Sequence, residues 1–131
     1  MKLIKLNAID STNEYIKKIK SYVSDKIFCV YTYSQKHGKG QRGNIWESEP
    51  NKNICISLRY KPLTSKTNHT SFKLNMLVSI IILEFFEELK IPKLKVKWPN
   101  DILSDGKKIS GILIETALRS NNSNDLSLIH I

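Results

Sequence analysis

The sequence of 131 residues predicts an α+β fold, because segments with the pattern of β-strands are interrupted by two segments with the pattern of helices. Residues 27–33 are rich in β-branched and aromatic types, and residues 54–60 alternate in the way that a half-buried strand does. Residues 70–90 are apolar on nearly every side, which is typical of a helix packed on a sheet. A chain of this length fits one domain with a hydrophobic core.

The N-terminal part predicts a short strand at residues 3–6, followed by a helix. Ser11 and Glu14 have the spacing of a capping box, and the apolar residues after them have helical spacing: Tyr15, Ile16, Ile19, Tyr22 and Val23. Free backbone amides at a helix start favour a polar or anionic ligand. Plain capping is the other interpretation, and it explains Ser11 but does not require Thr12 and Asn13.

A glycine-rich segment, residues 37–44, lies between the strands at 27–33 and 54–60 and reads HGKGQRGN. Its backbone amides can close on an anion, and Lys39 and Arg42 can neutralise a phosphate. We expect a loop that is mobile when empty, although a flexible hairpin without a ligand explains the same residues.

Residues 61–69 predict a polar connection to the helix at 70–90, and Pro92 stops this helix from continuing. We expect this helix to be structural, with a buried stripe of Phe72, Met76, Ile80, Leu83 and Phe86. After it, Leu94, Val96 and Trp98 alternate with lysines, and a second apolar run contains Ile109, Ile112 and Ile114. The pattern predicts two strands joined at an Asp105-Gly106 turn.

Polar residues gather around this hairpin. Pro99 cannot donate to a sheet ladder, so Asn100 and Asp101 should lie at the sheet edge, near Lys108 beyond the turn. Gly111 leaves room for a ligand to approach closely. Such a group could hold an anionic substrate and, through Asp101, a metal ion. A surface hairpin with solvated lysines is the alternative.

The composition bounds the compartment and the partners. The sequence has 21 lysines and arginines and 12 aspartates and glutamates, and the resulting net charge of +9 favours anionic partners. Cys29 and Cys55 lie in strand-like runs without a CxxC neighbour, which indicates buried free thiols in a reducing compartment. Because we find neither a signal peptide nor an apolar run long enough to span a membrane, we expect a cytoplasmic protein without membrane contact.

Three separated motifs resemble the signature of biotin-protein ligases and span most of the chain. They are Asp10-Ser11-Thr12-Asn13, the segment from Gln35 to Trp46, and Lys97-Trp98-Pro99-Asn100-Asp101 with Lys108-Ile109-Ser110-Gly111-Ile112-Leu113 after it. The resemblance implies a mixed β-sheet flanked by helices, related to class II aminoacyl-tRNA synthetases. It also implies formation of biotinyl-5′-AMP from biotin and ATP with Mg²⁺, and transfer of biotin to a lysine of a biotin carboxyl carrier domain.

The resemblance assigns roles to individual residues. The implied biotin-binding residues are Ser11, Thr12, Asn13, Gln35, Gly38, Lys39, Gly40, Gln41, Lys108 and Gly111. Lys108 is the first choice for a catalytic group, with Lys39 and Arg42 in the loop. Asn100 and Asp101 match nucleotide-side or magnesium-side positions, and Trp46 a wall of the pocket on the nucleotide side or a hinge. Family loops often carry arginine where this chain has Gln41, so either loop cation could meet the phosphate.

The apolar, strand-like residues 126–131 have no polar cap, and a domain seldom ends in such a strand. We therefore expect residues 1–131 to be a partial catalytic domain, incomplete at the C-terminus, without an N-terminal DNA-binding domain or a C-terminal barrel domain. The oligomeric state is left open, with a homodimer as one option. A lipoate or octanoate transferase of the same superfamily and a basic nucleic-acid-binding module are the alternative functions; the latter would use Tyr31, Tyr33 and Trp46.

Overall fold

The computed structural model describes residues 1–19, 27–60, 71–117 and 126–130. Helices α1 (Thr12–Lys18) and α2 (Ser71–Glu88) accompany ten strands in this part of the chain. The strands are β1 (Lys2–Leu6), β2 (Ile27–Thr32), β3 (Gly38–Lys39), β4 (Ile45–Trp46), β5 (Cys55–Tyr60), β6 (Leu94–Lys97), β7 (Asp101–Ser104), β8 (Lys107–Gly111), β9 (Leu113–Ala117) and β10 (Leu126–His130). The predictions for Tyr22, Val23 and the connection at 61–69 lie outside the described residues.

The main sheet has the strand order β1-β2-β5-β10-β9. Strand β1 is parallel to β2, whereas the other neighbours are antiparallel, so the predicted mixed sheet is confirmed. Strand β10 pairs with β5 on one side and with β9 on the other, with Ile129 between Leu58 and Ile114. The apolar run near the C-terminus is therefore an interior strand of the sheet.

The two helices cover opposite faces of this sheet. On the α1 face, Ile16 packs with Phe28 and Val30 in a buried cluster. On the α2 face, a second cluster contains Val78, Ile82, Ile102 and Ile112, with Leu58 and Tyr60 packed against it. The predicted single buried face of β5 was wrong, because α1 also covers the face that carries Cys55, Ser57 and Arg59, which is the more deeply buried one. Apolar alternation alone does not reveal a helix above the polar face.

Helix α2 lies where the sequence predicts it, but its buried stripe is different. Val78 and Ile82 are buried against the sheet, whereas Phe72, Met76 and Ile80 of the predicted stripe are exposed. Leu83 and Phe86 pack at the edge of the α2 cluster. The helix is apolar all round, so its pattern could not indicate which face meets the sheet. Neither helix of the described residues combines the length and the apolar character that crossing a membrane requires.

The region after α2 is a meander of three strands, so the prediction of two strands was incomplete. Strand β7 pairs with β6 and with β8, and the Asp105-Gly106 turn joins β7 to β8. Both turn residues have positive φ, at 49° and 77°, as a tight hairpin turn requires. The short segment Asp101–Ser104 was missed as a strand, although its Ile102 is fully buried. Trp98, expected on the apolar side of β6, is 69% exposed.

Candidate active site

A cavity of about 480 Å³ lies where the start of α1, the β3–β4 hairpin and strands β7 and β8 meet. It brings together most of the site residues predicted from sequence: Ser11, Thr12, Asn13, Gln35, Lys39, Gly40, Gln41, Trp46, Asn100, Asp101, Lys108 and Gly111. Gly38 and Arg42 do not line it. They lie on the wall of a neighbouring cavity of about 510 Å³, on which Lys39 and Gly40 also lie.

The α1 end of the cavity is a buried polar network. Ser11 is the N-cap of α1, and its Oγ accepts a hydrogen bond from the Glu14 amide at 3.4 Å. Oγ of Ser57 lies 2.7 Å from Oγ1 of Thr12, which donates in turn to Oε1 of Gln35 at 3.2 Å. Ser57 is fully buried and was missed because it lies on the face of β5 that sequence patterning assigned to solvent.

Gln35 is fixed in one orientation by this network. Its Oε1 accepts hydrogen bonds from both the backbone amide, at 2.9 Å, and the hydroxyl of Thr12. Nε2 is therefore turned away from Thr12 and lies close to Gly38, where a β-carbon would be 2.6 Å from it. The cavity wall thus combines a hydroxyl group with an oriented amide, as recognition of a polar ring requires.

The glycine-rich segment forms a short hairpin whose stem is bonded to the start of α1. Ile9 and Gln35 form a parallel bridge, and the His37 amide donates to the Asp10 carbonyl at 2.7 Å. At the tip, the Gly40 amide donates to the Asn44 carbonyl at 2.8 Å. Arg42 lies in a short 3₁₀ turn with φ of 55° and is exposed. Its predicted contact with a phosphate stays a prediction.

Lys108 reaches the cavity from β8 and is held by two neighbours. Its Nζ lies 2.7 Å from Oδ1 of Asp101 and 4.3 Å from the ring centroid of Trp46. The carboxylate and the aromatic face both favour a cation at this position. Gly111 lies under the same indole ring, and a β-carbon there would overlap the ring. Lys108, Gly111 and Trp46 therefore lie together on one wall of the cavity.

Lys39, on the hairpin, is also paired. Its Nζ lies 2.9 Å from Oε1 of Glu14, and the hydrogen bond from Lys39 is the main reason why the pKa of Glu14 is below its ordinary value. Lys17 lies 3.5 Å from the same oxygen and 2.9 Å from Oε2 of Glu115. The side-chain amide of Asn13 donates through Nδ2 to the same Oε2 of Glu115 at 2.9 Å. The Glu14 carboxylate is therefore part of an ion-pair network, whereas the Glu14 backbone amide binds the N-cap residue Ser11.

Asn100 and Asp101 lie on the wall of the cavity, but both have partners. Nδ2 of Asn100 donates to the Ile112 carbonyl at 3.0 Å, and the Ile112 amide donates back to the Asn100 carbonyl at 2.8 Å. These two bonds join the residue before β7 to the residue between β8 and β9. Among the described residues that line the cavity, Asp101 is the sole carboxylate. In the part of the chain that the structure describes, no group of three or more histidine, cysteine or acidic side chains could hold a metal ion.

The cavity also contains residues that sequence analysis did not assign to it: Asn44, Ile45, Cys55, Ile56, Ile112 and Leu113. Four of them lie inside the motifs without an assigned role: Asn44, Ile45, Ile112 and Leu113. Cys55 and Ile56 begin the strand after the hairpin. Cys29 and Cys55 are both buried free thiols, as predicted, and burial raises the pKa of each.

Residues 6–131 match the sequence model of the biotin/lipoate A/B protein ligase family. Over 110 residues the chain is 31% identical to the bifunctional ligase/repressor BirA of Escherichia coli (strain K12), covering 84% of this chain and 33% of that protein. It is 35% identical over 93 residues to the biotin–protein ligase of Homo sapiens, covering 68% of this chain and 13% of that protein. The solved biotin protein ligase from Aquifex aeolicus, in complex with biotin and ATP, is similar with a TM-score of 0.72 and 26% identity.

This structural similarity covers 99% of the present chain and 51% of the Aquifex aeolicus chain. The predicted biotin ligase-like fold is therefore confirmed. The chain spans about a third of the length of the Escherichia coli relative.

Proposed function

We propose a function for this chain on the premise that it belongs to the biotin/lipoate A/B protein ligase family, as its three motifs predicted. The cavity beside Lys108 binds biotin and ATP, joins them to biotinyl-5′-AMP and pyrophosphate, and passes biotin to a lysine of a carboxylase carrier domain. The observation that carries the proposal is the single cavity that contains both the Thr12–Gln35 network and the Lys108 ammonium.

The chemical problem is that the two reactants are both anionic. A carboxylate oxygen of biotin attacks the α-phosphorus of ATP, and pyrophosphate leaves with the electrons of the broken bond. Lys108 provides a cation at this point, and Asp101 and Trp46 keep it in position before the reactants arrive. Preorganised charge of this kind lowers the barrier because it needs no rearrangement during the reaction.

The α1 end of the cavity suits the ureido ring of biotin. The ring presents N–H donors and a carbonyl acceptor, which the Ser11 and Thr12 hydroxyls and the oriented Gln35 amide can match. In the second step, the amine of the acceptor lysine attacks the mixed anhydride, AMP leaves, and an amide bond forms. Lys39 and Gln41 on the hairpin flank the space in which this anhydride would be shielded from water.

Magnesium fits this site poorly as a resident ion. Mg²⁺ requires six oxygen ligands, and Asp101 offers one carboxylate that is already 2.7 Å from Lys108. A magnesium ion that enters with ATP would keep phosphate oxygens and water as its ligands. In this proposal Lys108 supplies the fixed cation of the site, and a magnesium ion would arrive with ATP.

Calorimetry with biotin, lipoate and a single-stranded oligonucleotide tests the proposal against both alternatives. We expect binding of biotin, and a salt-dependent affinity for the oligonucleotide alone would indicate the nucleic-acid-binding function instead. Binding of lipoate in place of biotin would indicate the lipoate ligase function.

Biotin-dependent exchange of pyrophosphate into ATP tests the chemistry. We expect Lys108→Ala to lower the exchange rate by about 100-fold or more, as the loss of one transition-state contact does. Lys107→Ala is the matched control, because Lys107 is the preceding residue of β8, is exposed, and does not line the cavity. Equal rates for the Lys108→Ala and Lys107→Ala variants would contradict the role of Lys108.

A further inference from the structure

Glu14 and Lys39 join the hairpin to helix α1 through an ion pair that the motifs do not predict. Nζ of Lys39 lies 2.9 Å from Oε1 of Glu14, although Lys39 also lines the cavity. Lys17 lies within 3.5 Å of the same oxygen and 2.9 Å from Glu115 on β9. The ion pairs therefore connect the hairpin, α1 and β9 at one edge of the cavity.

The pairing means that the charge of Lys39 is already matched before any ligand binds. An anion in the cavity has to compete with the Glu14 carboxylate for this ammonium group. The side chains of Lys39 and Glu14 are 57% and 38% exposed, and an ion pair that is so accessible to water is weak. A phosphate group in the cavity can therefore displace Glu14 from Lys39.

Lys17 lowers the free-energy cost of separating Glu14 from Lys39. Because Lys17 lies 3.5 Å from Oε1 of Glu14, the carboxylate keeps a cationic neighbour after Lys39 has moved away. Lys17 itself is held by Glu115, whose Oε2 also accepts from Asn13 in the cavity wall. The Glu14 carboxylate therefore keeps Lys17 as a counter-charge beside the cavity.

We propose that Glu14 is a positioning residue that holds Lys39 at the cavity edge until an anionic ligand displaces it, and that it thereby sets the affinity of the cavity for anions. The identity of the anion, biotinyl-5′-AMP, rests on the proposed function. The competition between Glu14 and the ligand applies to any anion that binds beside Lys39. Neutralising Glu14 should therefore strengthen anion binding, and only when Lys39 is present.

The test measures binding of biotinyl-5′-AMP and of biotinol, an uncharged biotin analogue, by calorimetry at low salt. We expect Glu14→Gln to bind biotinyl-5′-AMP about threefold to fivefold more tightly and biotinol unchanged. In a Lys39→Met background, the same change at Glu14 should have no effect on either ligand. Glu49→Gln is the matched control, because Glu49 is paired with Lys52 at 2.6 Å and does not line the cavity.

Inorganic pyrophosphate, as a second anionic probe, separates this proposal from the ligase function. Suppose that Glu14→Gln binds pyrophosphate more tightly only when Lys39 is present, and that biotinyl-5′-AMP does not bind. This result would support the role of Glu14 and reject the ligase function. An equal increase in anion affinity for Glu14→Gln and Glu49→Gln would overturn the role of Glu14, and so would an increase that persists in the Lys39→Met background. If neither anion binds to the unaltered chain, both proposals are overturned.

Discussion

The indole ring of Trp46 lies directly on the backbone of Gly111, and Nζ of Lys108 lies 4.3 Å from the centroid of the same ring. Trp46 belongs to the β3–β4 hairpin, whereas Gly111 and Lys108 belong to β8. The contact therefore joins the hairpin to the strand that carries the proposed catalytic lysine. It depends on the absence of a side chain at position 111.

We expect Gly111→Ala to displace Trp46 and to destabilise the fold by about 1 to 3 kcal/mol, because the added methyl group has no room under the ring. Trp46→Ala removes the overlapping group, so the double variant should be less destabilised than the sum of the two single variants. Urea unfolding of the three variants and the unaltered chain measures this coupling. Additive effects would contradict a direct contact between the two residues.

A second prediction concerns the orientation of Gln35. Gln35→Glu keeps an oxygen that can accept both hydrogen bonds from Thr12, but it replaces the NH₂ donor by an acceptor. We expect this variant to retain nearly the full melting temperature and to bind biotin at least about tenfold more weakly.

Gln35→Leu is the contrasting variant, because it leaves the Thr12 amide without an acceptor in a part-buried position. It should lose about 1 to 3 kcal/mol of stability, measured as the free energy of unfolding. Equal stability of the Glu and Leu variants would show that the two hydrogen bonds contribute little.

A third prediction tests which face of α2 forms the core. Ile81 and Ile82 are adjacent and chemically identical, but Ile82 is 8% exposed and Ile81 is 53% exposed. We expect Ile82→Ala to cost about 2 to 5 kcal/mol, since it leaves a cavity beside Ile102 and Ile112. Ile81→Ala, the matched control, should change the free energy of unfolding by less than about 0.5 kcal/mol. A larger loss for Ile81→Ala would mean that the assigned core face is wrong.

The sequence predicted the site better than it predicted the packing around it. The three motifs predicted one shared site for Ser11, Lys39 and Lys108, and all three residues line one cavity in the structure. A motif is a pattern of residue types in the sequence, so it can be recognised without knowing how the chain packs. The strand boundaries were predictable where β-branched residues cluster, as in β2. Strand β7 was missed, because four residues are too few to show a period.

The faces of β5 and α2 could not be predicted, because burial depends on which elements pack above each face. In β5, the polar Ser57 is fully buried under α1 and bonded to Thr12, so its burial depends on a partner that lies 45 residues away in sequence. The sequence also could not predict which charged side chains form ion pairs. The ion pair between Lys39 and Glu14 joins two segments that lie 25 residues apart in sequence, so no local pattern predicts it. The predicted contact of Lys39 with a phosphate stays a prediction.

A fourth prediction follows from the lowered pKa of Glu14. Because its pKa in the folded chain lies below the ordinary value of 4.5, the charged carboxylate stabilises the fold above about that pH. This contribution is lost as the pH falls through the pKa of the folded state. Glu14→Gln should therefore show a smaller loss of stability than the unaltered chain between about pH 5 and pH 3, measured by urea unfolding. Parallel curves for the two chains would mean that the ion pair with Lys39 does not form in solution.

The two buried cysteines provide a final prediction, with one serving as the control for the other. Burial raises the pKa of both thiols, so both should react more slowly with iodoacetamide at pH 8 in the folded chain than in urea. Cys55 lines the cavity, whereas Cys29 does not. Biotin together with ATP should therefore slow the labelling of Cys55 further and leave the labelling of Cys29 unchanged, as followed by peptide mass spectrometry. Equal protection of both thiols would indicate that the ligands tighten the whole fold, and no protection of Cys55 would indicate that they bind outside this cavity.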